Sequence, residues 1–170
     1  PVPAPEPEPA PLDFTTLPDD LLLALDRAER VERARGDGVE AVAAFGEHVF
    51  GKTCPAHVRQ WLGEILENRR VGIIAPPEST KTTWISVILV TWWIGKNPET
   101  TNLVVSVSDD QAQKAAAGVA DTIEHNPRWK EVFPNVAPDK DKGWSRDGYY
   151  VKNIHLEYGE WTRRVADRIH

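Results

Sequence analysis

Residues 71–96 read "VGIIAPPESTKTTWISVILVTWWIGK", and this stretch constrains the fold more than any other. The five-residue apolar run Val71–Ala75 is too short for a helix and suits a strand buried on both faces. Two prolines and a polar stretch, "PPEST", then break it. A helix is expected to begin near Lys81 and to end between Gly95 and Pro98. Its apolar stretch, "WISVILVTWWI" from Trp84 to Ile94, falls well short of the ~20 residues needed to cross a bilayer and reads as a buried core helix.

The rest of the chain extends this strand, loop and helix pattern. "PVPAPEPEPAP" places proline at alternate positions, which removes backbone donors and favours extended geometry, so residues 1–15 are expected to be a disordered Pro/Glu-rich tail. Between residues 16 and 53 the sequence predicts a helical segment. "LPDDLLLALDRAERVERARGDG" carries acids early, arginines late and glycines as a stop, and a second helix covers Val39–Phe50. "CPAHVRQWLGEILENRR" sets Val58, Trp61, Leu62 and Ile65 on one face of a third helix. "NLVVSVS" supplies another β-branched run, followed by a helix over "DDQAQKAAAGVADTIEH" stopped at Asn126 and Pro127, and "GYYVK" gives a third strand. Strands alternating with helices, each strand apolar throughout, predict an α/β fold: a parallel sheet flanked by helices, preceded by the helical segment.

The strand-to-helix loop raises a chemical question. A phosphate-binding loop of pattern G-x-x-x-x-G-K-[ST] points successive backbone N–H groups and a helix N-terminus at phosphate, with Lys as a mobile charge and the hydroxyl as a Mg²⁺ ligand. Aligned here, Ala75 and Thr80 fall at the glycine positions, Lys81 at the lysine and Thr82 at the hydroxyl. The missing glycines matter, because a β-branched Thr80 at positive φ would be an outlier. Glu78 adds a carboxylate that repels phosphate unless it turns outward. The competing reading is an ordinary turn, with Thr80 capping the helix and Lys81 and Thr82 on the surface.

Other candidate groups are sparser. Asp109 and Asp110 follow an apolar run and resemble a Mg²⁺-holding pair, but either is also well placed to cap the next helix, the favoured reading. The five histidines are scattered singly, without metal-ligand spacing. Trp84, Trp92 and Trp93 belong to the apolar helix and are expected in the core, with Trp129, Trp144 and Trp161 less committed. Cys54 is the only cysteine, so it has no disulfide partner within the chain and is read as structural. Nothing marks secretion. The net charge of −6 owes five acids to the first twenty residues, leaving a body near neutrality that neither requires nor excludes a nucleic acid.

Three segments in order, "HVRQWLGEILENRRVGIIAPPESTKTTWISVILVTWW", "NLVVSVSDDQAQKAAAGVADTIEHNP" and "VFPNV" followed by "KGWSRDGYYVKN", resemble the N-terminal ATPase region of the tailed-phage terminase large subunit, the DNA-packaging motor. The resemblance runs from about Pro55 to about Asn153. It implies that residues 54–170 are a partial P-loop ATPase domain binding ATP and Mg²⁺, with Pro76, Pro77, Glu78, Ser79, Thr80, Lys81, Thr82 and Thr83 around the phosphates. Thr82 would be the metal ligand, and His57 and Gln60 would lie near the adenine. It further implies double-stranded viral DNA, the portal protein and the terminase small subunit as partners, a ring when full length, and a place in the host cytoplasm at the procapsid portal. Two features depart from the family: an arginine common early in its loop is replaced by Pro76 or Pro77, and "IHLEYGEWTRRVADRIH" holds no apolar strand ending in paired acids. With Met absent, the chain reads as a fragment or truncated product, expected to bind ATP weakly and hydrolyse it poorly. The alternatives are a compact P-loop kinase or GTPase-like enzyme using Asp109, and a non-catalytic remnant or interaction module.

Overall fold

The computed structural model describes residues 18–106, 108–145 and 148–154. It is mostly helical. The elements in order are α1 (Asp19–Arg35), α2 (Gly38–Phe50), α3 (Ala56–Glu67), a π-helical segment (Thr82–Leu89) continuing into α4 (Val90–Lys96), α5 (Asp109–His125), α6 (Pro127–Val132), β1 (Val136–Pro138) and β2 (Val151–Asn153).

Local chemistry accounts for the helix ends. Asp19 and Asp20 in the first turn of α1, with Arg33 and Arg35 in the last, match the helix dipole at both ends. Gly51 closes α2 in the left-handed region at φ 64°, where its N–H reaches the Glu47 carbonyl and Lys52 N–H reaches the Gly46 carbonyl, so the last carbonyls are satisfied. Ser108 caps α5 by accepting from Gln111 N–H. The cap is therefore Ser108 rather than Asp109 or Asp110, which occupy the first turn and favour the positive end of the dipole. Asn126 ends α5 and starts α6, where Pro127 needs no N–H and the Asn126 side chain accepts from Arg128 and Trp129 N–H.

One core joins these helices. Phe45 from α2, Val58 and Leu62 from α3, Trp84 and Ile88 from the π-helical segment, Val119 and Ile123 from α5 and Trp129 from α6 are all fully or almost fully buried. Trp84, Ile88 and Trp92 recur every four residues, and Trp92 donates its indole N–H to the Ala34 carbonyl at 2.9 Å, tying α4 to the end of α1. Gly46 is required where the Trp84 ring lies flush against α2, since a Cβ there would overlap the indole.

The parallel sheet expected from the sequence is not formed. Among the described residues the only sheet is two-stranded and antiparallel, pairing Val136 with Asn153, Ala137 with Lys152 and Pro138 with Val151. A single bridge between Trp144 and Tyr149 continues the ribbon. The runs at 71–75 and 101–106 make no ladder, and alternate apolar side chains face outward while Ile73, Ala75 and Val104 are partly buried: Ile74 is fully exposed, Leu103 is 86% and Val105 80% exposed. The physical reason lies in the core, which aromatic and aliphatic groups from helices already fill, leaving no sheet surface for these runs to cover. "GYYVK" does contribute to β2, though antiparallel to β1. The tail at residues 1–15, Val107 of the second expected strand, Trp161 and the segment 155–170 lie outside the described residues.

Candidate functional site

The loop at residues 76–80 connects the extended run to the π-helical segment, and its backbone is unusual at two positions. Glu78 has φ 64° and Thr80 φ 61°, the only non-glycine residues at positive φ among those described. Such a conformation costs an L-residue roughly 1–2 kcal/mol, and for β-branched Thr80 it is an outlier. Thr80 stands where the phosphate-loop pattern has its second glycine. Lys81 follows at φ −56° and ψ −44°, so a left-handed residue is succeeded by a right-handed one, an arrangement that converges neighbouring N–H groups into an anion-attracting concavity.

Pro77 and Glu78 form a hydrogen-bonded turn that directs the Ser79 N–H back to the Pro76 carbonyl, and Glu78 at φ 64° suits the third position of a type II turn. Among the described residues the backbone N–H groups of Thr80, Lys81, Thr82 and Thr83 make no hydrogen bond, and Trp84 N–H, bonded to the Thr80 carbonyl at 3.0 Å, is the next amide engaged. Residues 77–83 line a cavity of about 390 Å³. The Ser79 hydroxyl is buried and without a partner, an orphan polar group at the same place.

Two side chains brace the loop through its carbonyls. Lys81 Nζ donates to the Ala75 carbonyl at 2.9 Å, across the loop's ends. From α3, His57 Nε2 lies 3.3 Å from the Ser79 carbonyl, and since a carbonyl only accepts, Nε2 carries the hydrogen. The His57 ring is set edge-on to Trp61, with centroids 4.9 Å apart.

The remaining candidates divide as follows. Glu78 lines the cavity, so its carboxylate opposes an anion there. Thr82 is exposed and its hydroxyl has no hydrogen bond among the described residues, leaving it available as a ligand. Thr83 lines the cavity, Pro76 does not, and Gln60 is exposed on α3 away from the lining. Asp109 is exposed on the first turn of α5, and among the described residues no group of three His, Cys, Asp or Glu side chains is arranged to hold a metal ion. A divalent cation would therefore arrive with its phosphates rather than in a protein cage, as Mg²⁺ commonly does.

Away from the loop, Cys54 is buried, and burial pushes its thiol above the usual range, consistent with an inert structural role. Among the described residues no helix is long and apolar enough to cross a membrane. The His57 contact and the Ser79 hydroxyl carry no sequence signal of their own; the first joins residues 22 apart and exists only once α3 packs beside the loop. No protein-family model, curated protein or solved structure matches the chain.

Proposed function

We propose that residues 76–83 bind the phosphate chain of a nucleoside triphosphate, ATP with Mg²⁺, and that the chain is the ATP-binding part of a terminase-like motor that packages double-stranded viral DNA. The observation that carries the phosphate reading is the left-handed backbone of Thr80 beside unengaged N–H groups at a helix N-terminus. Strained non-glycine backbone persists where surroundings over-determine it, and free amides with a helix dipole favour negative charge. Lys81 would supply the neighbouring cation by turning from the Ala75 carbonyl to phosphate oxygen, and the exposed Thr82 hydroxyl would be a ligand for Mg²⁺ carried by the phosphates. Glu78 is tolerated in this scheme because the cation offsets its charge. The portal protein, the small subunit, a ring assembly and action in the host cytoplasm at the procapsid portal follow from the sequence resemblance alone.

Binding, rather than turnover, is the activity these residues equip, because phosphoryl transfer to water also needs a group that orients the water. The test is titration calorimetry of Mg·ATP against the wild type and Lys81→Ala. Loss of a charge-assisted contact is expected to weaken binding roughly 10- to 100-fold. No heat and no ligand-dependent rise in melting temperature at millimolar Mg·ATP would overturn the reading.

A second reading, a non-catalytic interaction module, is favoured by one observation: Leu21, Leu22, Leu23 and Leu25 are exposed along the first turns of α1. It predicts a melting temperature indifferent to nucleotide.

A further inference from the structure

The two braces on the loop are not equivalent, and the difference gives His57 a role. Lys81 Nζ is the mobile charge a phosphate would draw toward itself, so its contact with the Ala75 carbonyl competes with ligand binding. The His57 contact with the Ser79 carbonyl has no such conflict. In a trans peptide the C=O and the next N–H point in opposite directions, and no peptide bond among the described residues is cis. A Ser79 carbonyl drawn toward α3 therefore turns the Thr80 N–H away from α3. The cavity is lined by residues 77–83, Thr80 among them, and by nothing from α3.

We propose that His57 is a positioning residue: it holds the Ser79–Thr80 peptide so that the Thr80 N–H faces the phosphate cavity, and it keeps Thr80 in its left-handed conformation once Lys81 has left the Ala75 carbonyl. Trp61 packs edge-on against the imidazole, with ring centroids 4.9 Å apart. This inference rests on the phosphate reading of the loop, and it gives His57 a task that does not involve the nucleotide base.

Inorganic pyrophosphate, which has no base, separates the two roles. Calorimetry would compare pyrophosphate and Mg·ATP binding to the wild type, His57→Phe and His57→Gln. Phe keeps a ring against Trp61 but cannot donate, whereas Gln places an amide N–H near the position of Nε2. His57→Phe is expected to weaken both ligands about three- to tenfold with an unchanged melting temperature, the scale of one hydrogen bond. His57→Gln should recover most of the loss. Adding Thr80→Gly to His57→Phe should recover it too, because glycine takes positive φ without a brace. Equal pyrophosphate affinity in wild type and His57→Phe would overturn the proposal, as would a loss confined to ATP, which would assign His57 to the base.

Should the wild type bind neither ligand, the phosphate reading fails, and the ligand-free protein still decides the brace. The Thr80 amide resonance and its exchange rate are expected to change in His57→Phe and to return in His57→Gln. A Thr80 amide indifferent to both substitutions would remove His57 from the loop's construction altogether.

Discussion

Thr80 and Glu78 hold positive φ with side chains that disfavour it, and replacement by glycine separates strain from binding. Thr80→Gly is expected to raise stability by up to about 1 kcal/mol, measured by urea denaturation, because the left-handed penalty disappears while glycine's greater unfolded-state entropy offsets part of the gain. Phosphate affinity should survive, since the N–H groups remain. Glu78→Gln removes the negative charge that lines the cavity and is expected to tighten pyrophosphate binding most in the absence of Mg²⁺, with the difference shrinking when Mg²⁺ is added. Far from the loop, burial beside Trp144 pushes the Tyr149 phenol up to about 12. Its folded value lies above the unfolded one near 10, so the contribution is intact below about pH 10 and is lost as pH rises toward 12. Tyr149→Phe should flatten stability across that window. The position of Thr80 was legible from the pattern, which reserves it for glycine. The resemblance names His57 and Ser79, but the contact between them was not legible, because it joins residues 22 apart and exists only once α3 packs beside the loop.

At the scale of elements, charge order and periodicity transferred well, while the short apolar runs did not. Acids before arginines in α1 and the apolar face of α3 each specify a helix locally, whereas Asn126 and Pro127, read as the stop of α5, also start α6. An apolar run of five to seven residues specifies only an extended chain, and whether it pairs depends on what the core has room for. The consequence is measurable: with Ile74, Leu103 and Val105 exposed, replacing all three with lysine should change stability little, each exposed site contributing within about 0.5 kcal/mol. A loss of several kcal/mol in that triple variant would mean that the runs are buried after all. The opposite sensitivity is expected at Gly46, whose missing side chain admits Trp84 at the start of the π-helical segment. Gly46→Ala should cost about 1–3 kcal/mol by overpacking. It should also weaken phosphate binding, because Trp84 carries the first engaged amide after the loop and its displacement moves the helix N-terminus.

Over the whole molecule, the first and last described helices meet at one carboxylate. Glu131 on α6 accepts from Arg27 on α1 and lies 3.2 Å from His48 Nε2 on α2, while Arg35 donates to the Glu131 and Val132 backbone carbonyls at 2.9 and 2.8 Å. The sequence does not show this junction, since Arg27 and Glu131 are 104 residues apart. The Arg27 guanidinium, by hydrogen bond and charge, holds the Glu131 carboxyl below the usual carboxylate range, with His48 adding a smaller contribution in the same direction. A depressed folded value fixes the sign of the pH effect: stability from this junction is complete above the ordinary carboxylate range and falls as pH drops through the folded value. Arg27 is 66% exposed, so solvent screens the pair and its contribution is expected to be small. Glu131→Gln should therefore lower the melting temperature slightly near neutral pH and lessen its fall between roughly pH 5 and 3. The Glu40–Arg59 and Glu124–Lys140 pairs, which also depress their carboxyls, should leave a residual acid slope. Parallel wild-type and Glu131→Gln curves through that range would mean that the three-helix junction is held by packing and by the Arg35 carbonyl contacts, with the carboxylate incidental.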